Sequence, residues 1–232
     1  EPISSGGQEM FIINVLRHIN MEGLRIDLLT PYYCDNDVYR NDVEKRGGKV
    51  TCLELPFNPG GFRSNIIKPL FYYLKTNRYD VVHIHSGSIT VLSISSLIAW
   101  FCGVKKIIVH SHSTGTSKNL KYLLTKFFSA PILFFAPTHY CACSIAAGEW
   151  KFPNYIARKK LKVIKNGIDL TLFSPKKEER ERIRKKYKIG SSTLVVGHIG
   201  RFSVVKNHTY IIQVFEQLKV RVADSKLMLV GD

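Results

Sequence analysis

Short runs rich in valine and isoleucine alternate with helical patterns along most of the chain, and this alternation constrains the fold more than any other feature. The clearest buried strands are predicted at 79–85 and 105–112, on either side of an apolar helix predicted at 89–102. Strands of this kind that alternate with helices form parallel sheets, because each crossover helix packs back onto the sheet. The sequence therefore predicts the α/β class.

The alternation stops once and then begins again. Residues 1–173 are predicted to form one Rossmann-like doubly wound domain, and the charge-dense stretch 174–192 is predicted to form a solvated connector helix. A β-α-β order restarts at 193–232, but one such unit cannot bury both faces of its own sheet. No strand precedes the glycine pair Gly6 and Gly7, which would normally follow one. We therefore expect a second domain that is only partly present, and a chain that is cut at both ends.

The net charge of +16 and the pI near 9.7 favour anionic partners. Nucleic acid, acidic membrane and phosphorylated small molecules all fit that charge. A nucleic-acid surface would interleave aromatic and basic residues on one face, and the sequence shows no such pattern, so we expect no nucleic-acid partner. The longest apolar stretch, 89–102, is shorter than the roughly 18 residues of a membrane span and contains serine and threonine.

Five cysteines are scattered through the chain. Their number is odd and their spacing fits no disulfide framework, so free thiols in a reducing cytoplasm are expected. The first residues also lack a basic segment followed by an apolar one, which would indicate a signal peptide. The sequence therefore predicts a cytoplasmic protein.

Two His-x-His pairs end the two clearest strands. His83 and His85 close the first, and His110 and His112 close the second. In open parallel sheets, ligands bind at the carboxyl ends of the strands. We therefore expect His85 and His112 to face a polar cleft, and His83 and His110 to form hydrogen bonds inside the sheet.

The same pairs raise the question of a metal. His-x-His is a spacing found in zinc sites, but no carboxylate or cysteine nearby in the sequence completes such a site. The Asp-x-Asp pair formed by Asp35 and Asp37 is predicted to lie in a polar loop rather than at a strand end. We therefore predict no metal site and no cofactor.

Two cations flank the next strand-to-helix connection. Arg201 follows the strand predicted at 193–200, and Lys206 precedes a helix for which Asn207 is the expected N-cap. Cations beside free N–H groups at a helix start suit a diphosphate, although two exposed cations in a loop would look the same. Gly6 and Gly7 would let a ligand approach the backbone, or they form an ordinary tight turn.

Seven segments together are more specific than any one of them: "SSGGQE", "DVVHIHS", "VHSHS", "CSIAAGEW", "VIKNGIDLTLFSP", "GHIGRFSVVKNHTYIIQVF" and "LMLVGD". In order and spacing they resemble the retaining glycosyltransferases of family 4, which have the GT-B architecture of two facing Rossmann-like domains. The "NGID" segment followed by Phe and Pro, and then "GR…K" before a helix, is the most diagnostic part. The resemblance covers nearly the whole chain.

The resemblance implies a role for each matching residue of the first domain. Gly6 and Gly7 match the glycine loop that faces the acceptor and the donor phosphate. His112 matches the histidine near the transferred sugar. The family's first strand has no counterpart in the chain, which supports the expectation of a chain cut at both ends.

Further roles follow for the second half. Asn166, Gly167 and Asp169 match the crossover between the domains, and Arg201 and Lys206 match the pair that holds the donor diphosphate. The family's glutamate pair, which contacts the donor sugar and ribose, would lie beyond the last residue. We therefore expect the chain by itself to bind donor poorly and to show no turnover.

The implied reaction is transfer of a sugar from a nucleotide-sugar to a glycan or lipid-linked acceptor with retention, in the synthesis of cell-surface polysaccharide or exopolysaccharide. No metal is required, because cations and a helix start can hold the diphosphate. One alternative is a sugar-nucleotide epimerase of the same architecture, against which the "NGIDLTLF" crossover argues. Another is a nucleotide-sugar-binding module without catalysis.

A basic and aromatic segment at 118–135 suggests a membrane surface. Lysines alternate there with leucine and phenylalanine, and the residues concerned are Lys118, Lys121, Leu123, Leu124, Lys126, Phe127 and Phe128. Cations beside exposed aromatic residues suit an interface with anionic lipid. This pattern predicts peripheral attachment at the inner face of the plasma membrane. The alternative is that the leucine and phenylalanine side chains belong to the core and the lysines are merely solvated.

Overall fold

The computed structural model describes residues 2–58, 63–115 and 117–231, which form nine α-helices and eight β-strands. The helices are α1 (Gly7–His18), α2 (Asp37–Glu44), α3 (Ile67–Asn77), α4 (Ile89–Phe101), α5 (Leu120–Phe135), α6 (Ile145–Lys151), α7 (Asn154–Lys159), α8 (Lys177–Lys186) and α9 (His208–Arg221). The strands are β1 (Leu28–Thr30), β2 (Val50–Cys52), β3 (Val81–Ser86), β4 (Lys106–Ser111), β5 (His139–Ala142), β6 (Leu161–Val163), β7 (Leu194–Ile199) and β8 (Ser225–Val230).

The chain divides into two compact units, Glu1–Asp169 and Leu170–Asp232. The expected first domain ended at residue 173, so the observed division falls slightly earlier. In the first unit, β3, β4, β5 and β6 form a parallel sheet in that order, and β1 pairs in parallel with β2. The α/β class with parallel sheets is therefore confirmed.

The core of the first unit lies between this sheet and its helices. Leu92 on α4 and Ile107 and Val109 on β4 are completely buried. The serines of α4 do not prevent burial, because their hydroxyls bond inside the protein: Ser96 Oγ donates to the Ser93 carbonyl at 2.9 Å, and Ser93 Oγ lies 3.2 Å from Ser129 Oγ on α5. The apolar stretch 89–102 is thus the buried helix that its length and serine content predicted.

Helix α5 is longer than its sequence pattern indicates. The sequence pattern predicts a helix over 120–128 only, but the helix continues through Pro131 to Phe135. Proline normally breaks a helix interior, because it lacks an N–H and crowds the preceding turn. Tertiary contacts hold the last turn here: Leu133 is 1% exposed, and the Tyr140 hydroxyl donates to its carbonyl at 2.9 Å.

The starts of helices α2 and α3 show two further local features. Asp37 does not lie in a loop, because it begins α2, and the Asn36 side chain caps that helix by accepting a hydrogen bond from the Tyr39 N–H at 3.1 Å. Pro69 lies in the first turn of α3, where its missing N–H has no intrahelical partner to lose. A 3₁₀ turn at Ser64–Ile66 precedes that helix.

The second unit is built on the parallel pair β7 and β8, with α9 as the crossover. Helix α8 has no buried residue, as expected for a solvated connector. Asn207 is not the side-chain N-cap that was predicted for α9, because it adopts a left-handed conformation (φ 49°, ψ 50°) and its side chain makes no capping bond. The first-turn N–H groups of α9 are therefore not capped by that side chain.

The outer surface of α5 is apolar. Leu120, Phe127 and Phe128 are 70%, 72% and 70% exposed, and Leu123 and Leu124 about half exposed; we call these five residues the α5 surface. Burial of these side chains in the core, the alternative considered for this segment, does not occur. Among the described helices, none is both long enough and apolar enough to cross a bilayer.

Lys126 differs from the other lysines of this segment. Its Nζ donates to the Glu149 carbonyl at 2.6 Å and to the Tyr122 hydroxyl at 3.3 Å, and burial lowers its pKa from the usual value. Lys118 and Lys121 are exposed. Lys126 therefore has a structural role, and it is a poor choice as a lipid-binding cation.

Candidate active site

The carboxyl ends of β3 and β4 bring all four histidines together. These strands are in parallel register with His85 opposite His110. His85 Nδ1 lies 2.8 Å from His112 Nε2, so one ring donates a hydrogen bond and the other accepts it. The two histidines that were expected to face the cleft are thus a directly bonded pair.

The expectation for His83 and His110 is wrong. His110 is completely buried, and neither of its ring nitrogens has a hydrogen-bond partner among the described residues. His83 is exposed, and the described residues offer it no hydrogen bond either. The reason is that the neighbours of these rings are other imidazoles and apolar side chains: the ring centroids of His110 and His112 are 4.3 Å apart, and those of His83 and His85 are 3.9 Å apart.

Burial keeps the histidines of this cluster uncharged. It lowers the pKa of His110 to about 3, with a further contribution from the neighbouring His112, and it lowers the pKa of His112 to about 4. The pKa of His85 is also well below its usual value, first because of burial and then because of the other three rings. These rings are therefore neutral near pH 7, and each can donate one hydrogen bond and accept another.

Phe11 on α1 covers the cluster. Its ring centroid lies 5.1 Å from that of His110, 5.4 Å from that of His112 and 6.0 Å from that of His85. Phe11 is not recognisable as a site residue from the sequence, because an apolar residue in an amphipathic helix is ordinarily a core residue. Its position in the first turns of a helix that follows a glycine pair is the only signal that could have pointed to it.

Gly6 and Gly7 lie at the start of α1, with Gly6 as the N-cap residue. A Cβ at Gly6 would overlap the carboxylate of Glu9, which is 9% exposed and folds back onto the loop. A Cβ at Gly7 would meet open space. A side chain at position 6 would therefore displace the Glu9 carboxylate, whereas at position 7 the backbone is open to approach from outside.

The crossover segment begins against the same helix. Asn14 Nδ2 on α1 donates to the Gly167 carbonyl at 3.2 Å. Asn166 is exposed, and Asp169 is half-buried. Helix α1 thus contacts the histidine cluster through Phe11, carries the glycine loop at its start and holds the crossover at Gly167.

A cavity of about 220 Å³ opens beside the cluster. It lies between β1 and β3, which do not pair with each other in the described chain. Glu9, His83 and His85 line it together with apolar side chains of both strands. The histidine cluster is therefore accessible from this side.

In the second unit, Arg201 and Lys206 are both exposed, in the connection that follows β7. The Lys206 side chain crosses Gly200, where an added Cβ would come within 3.3 Å of its Cε. His198 and His208, which the sequence analysis did not consider, lie close by with ring centroids 5.0 Å apart, and the Nε2 atom of each is buried without a described partner. The only sequence signal for them was the position of each histidine beside the two-cation motif.

These features define an α/β protein whose polar groups gather at the carboxyl edges of its parallel strands. The family model described as Glycosyltransferase Family 4 matches residues 5–172. The chain therefore belongs to glycosyltransferase family 4.

A curated relative and two solved structures are similar to the chain. The chain is 28% identical over 235 residues to EpsF of Bacillus subtilis (strain 168), a protein named as a glycosyltransferase, with 99% of the chain and 60% of EpsF covered. The crystal structure of Anabaena Alr3699/HepE in complex with UDP and glucose matches with a TM-score of 0.70 and 17% identity, over 99% of this chain and 58% of that one.

A second solved structure, a glycosyltransferase from Rickettsia africae, matches with a TM-score of 0.68 and 18% identity, over 100% of this chain and 59% of that one. These likenesses confirm the fold as part of the GT-B architecture. The chain thus spans about 60% of the length of the curated relative that it matches.

Proposed function

We propose that the chain is part of a retaining glycosyltransferase that moves a sugar from a nucleotide-sugar donor to a hydroxyl of a glycan or lipid-linked acceptor. The single observation that carries the proposal is the family match over residues 5–172, which spans the edge where His85 and His112 meet. The expected product is cell-surface polysaccharide or exopolysaccharide.

The donor is a nucleoside diphosphate sugar, and a uridine nucleotide is the first to test, because HepE was solved with UDP and with UDP-glucose. Arg201 and Lys206 supply positive charge for the diphosphate. The N–H groups at the start of α9 are left uncapped by the Asn207 side chain, and a helix N-terminus favours a bound anion. Together these groups offset the charge of the departing diphosphate, so transfer requires no bound metal.

His112 is the group that we assign to the transferred sugar. Its Nδ1 is buried and has no described partner, so its hydrogen-bonding capacity is unused and would serve a sugar hydroxyl once the ring turns toward the cleft. No described residue donates a hydrogen bond to its backbone carbonyl, which can therefore stabilise the positive charge that develops at the anomeric carbon. His85 fixes the orientation of the His112 ring through the 2.8 Å bond. Gly6 and Gly7 border the acceptor side.

Saturation-transfer NMR tests the donor site, because it detects weak binding. UDP and UDP-glucose should give transfer signals with the wild-type chain. Arg201→Ala and Lys206→Ala should each weaken UDP binding by about 10- to 100-fold, since a lost bond to a charged group costs about 1.5–3 kcal/mol.

The matched control is Arg221→Ala, which removes an exposed arginine at the far end of α9. It should leave UDP binding unchanged. Equal UDP affinity in Arg201→Ala, Lys206→Ala and the wild type would refute the donor assignment. Product analysis with a labelled donor would separate transfer from the epimerase alternative.

The metal requirement has a test of its own. Sugar transfer should continue in EDTA, because Arg201 and Lys206 take the place that a divalent ion has in other sugar transferases. Turnover that stops in the chelator and returns with manganese would contradict this part of the proposal.

We further propose that the first unit attaches to anionic lipid through the α5 surface, at the inner face of the plasma membrane. Exposed leucine and phenylalanine next to Lys118 and Lys121 combine apolar burial with attraction to acidic headgroups. The apolar area continues at Phe134 and Tyr155, where Lys160 Nζ lies 5.9 Å and 6.0 Å from the two ring centroids. A lipid-linked acceptor would lie in the same membrane that the α5 surface binds.

Liposome co-sedimentation tests this attachment. The chain should bind anionic vesicles, and binding should fall in roughly 0.5 M salt, where surface charges are screened over a few ångströms. Phe127→Ser with Phe128→Ser, and separately Lys118→Gln with Lys121→Gln, should weaken it. Phe173→Ser, which changes a phenylalanine of the second unit that is 71% exposed, is the matched control. Equal binding to neutral and anionic vesicles would refute the charge-dependent part.

A further inference from the structure

Three of the four histidines form a set of possible metal ligands. One ring nitrogen from each of His83, His85 and His110 lies within 4.8 Å of the others. In the sequence, His110 belongs to a separate pair on a separate strand, and spacing along the chain does not join it to His83 and His85. The parallel register of β3 and β4 joins them by placing His110 directly beside His85.

His110 gives a second, independent reason to expect a ligand. Its side chain is 0% exposed, and both of its nitrogens are buried without a partner in the described parts of the chain. Buried polar atoms in folded proteins are nearly always hydrogen-bonded or bound to an ion. An unpartnered buried imidazole that faces two further imidazoles is therefore the kind of exception that a bound cation explains.

We propose that His83, His85 and His110 bind one divalent transition-metal ion of the Zn²⁺ type. Imidazole nitrogen suits zinc, copper and nickel, whereas magnesium and calcium prefer oxygen ligands. Three histidines with an open fourth position are a known ligand set for zinc.

The observed spacing fits this set after a modest movement. Two nitrogens bound to one tetrahedral zinc ion lie roughly 3.3 Å apart, given Zn–N bonds of about 2.0–2.1 Å. The rings must therefore close by up to about 1.5 Å from the observed limit of 4.8 Å, which small rotations of the side chains can supply. His83 is exposed and borders the 220 Å³ cavity, which gives the ion a path of entry and leaves its fourth position open.

Metal binding would also set the proton positions of the neighbouring pair. His85 Nδ1 is already bonded to His112, so His85 would bind the ion through Nε2. Its Nδ1 would then carry the proton and donate it to His112 Nε2, as the second nitrogen of a metal-bound histidine usually does. The neutral His112 ring would in turn hold its own proton at Nδ1.

Cobalt titration of the purified chain tests the site without donor or acceptor, so its result is independent of the proposed sugar transfer. One Co²⁺ per chain should bind and give a d–d absorption spectrum without a thiolate charge-transfer band, because the ligands are histidines and not one of the five free cysteines. Zn²⁺ should displace the Co²⁺.

His83→Ala is the decisive variant, because His83 is exposed and its loss should leave the fold intact by circular dichroism. It should weaken Co²⁺ binding by more than about tenfold, since even outer-shell partners of a metal contribute 10- to 100-fold. His139→Ala, which removes an exposed histidine from the adjacent strand β5, should have no effect.

Nitrogen-15 NMR of the imidazole rings supplies a second measurement on the wild type. Addition of Zn²⁺ should shift one nitrogen of His83, His85 and His110, leave His139 unchanged and show His85 with its proton on Nδ1. The proposal is overturned if Co²⁺ does not bind saturably, if a thiolate band accompanies its binding, or if His83→Ala binds as tightly as the wild type.

Discussion

The two compact units differ in how they bury apolar surface. Among the described residues, every buried hydrophobic side chain lies in the first unit, at or before Ile156. The second unit buries only Thr193 and Ser225, both polar, and neither α8 nor α9 has a buried residue. Equal β-α-β order along the sequence therefore conceals very unequal packing.

This difference bears on the polar groups that each unit carries. The first unit holds uncharged histidines in fixed positions, because a packed core can offset the cost of burying them. The second unit carries its cations, Arg201 and Lys206, on an exposed connection. We therefore expect the histidine cluster of the first unit to be preorganised before any ligand binds.

The largest expected difference is in amide hydrogen exchange. Amides of the buried strand β4, such as those of Ile107 and Val109, should exchange at least about 100-fold more slowly than those of Val195 and Val196 on β7, because local opening is easier where few apolar groups are buried. Exchange followed by NMR at constant pH measures both sets in one sample. Equal protection in β4 and β7 would show that the two units unfold as one.

Matched leucine truncations sharpen the comparison. Leu92→Ala, in the core of the first unit, should lower the free energy of unfolding by about 2–5 kcal/mol, because it removes a fully buried side chain and leaves a cavity. Leu218→Ala, on the half-buried face of α9, should cost less than about 1.5 kcal/mol. Urea unfolding of each variant measures the difference, and a larger cost for Leu218→Ala would reverse our account of the two units.

Much of this architecture could be predicted from the sequence. The valine- and isoleucine-rich strands at 79–85 and 105–112 predict β3 and β4 to within two residues at each end, because parallel buried strands have a composition that few other elements share. Helix α5 could not be bounded in this way. Its end depends on Leu133 and Tyr140, which are adjacent only in the folded protein, and these contacts override the local effect of Pro131.

The candidate site shows the same limit. The pairing of His85 with His112 was indicated by two strand ends, since parallel strands in one sheet end at one edge. The exposure of His83 and the lack of a described hydrogen-bond partner for His110 depend on sheet register and on Phe11 from a distant helix. The two strand ends indicate that the pairs are neighbours, but the exact register that sets His110 beside His85 is visible only in the folded sheet.

His110→Leu tests whether the buried imidazole, which has no described hydrogen-bond partner, destabilises the first unit. A buried polar atom without a partner costs about 1–3 kcal/mol, and its replacement by an apolar side chain of similar size removes that cost. The variant should therefore raise the free energy of unfolding by about 1 kcal/mol, measured by urea unfolding in EDTA. His139→Leu, at an exposed position of β5, should change it by less than about 0.5 kcal/mol. A clear loss of stability in His110→Leu would mean that the surroundings stabilise the histidine ring of the wild type.

The smallest expected effect concerns the cations of the second unit. Arg201→Ala should change the free energy of unfolding by less than about 0.5 kcal/mol, because the side chain is exposed and makes no hydrogen bond or ion pair with another described residue. Arg184 provides the contrast in the same unit: its guanidinium donates to the Thr193 carbonyl at 2.7 Å and to the Gly190 carbonyl, so Arg184→Ala should cost about 1.5–3 kcal/mol. Chemical unfolding, monitored by hydrogen exchange of the β7 amides, would measure both changes in the free energy of unfolding. If Arg201→Ala destabilised the second unit as much as Arg184→Ala does, Arg201 would be a structural residue, and its loss could no longer be used to test diphosphate binding.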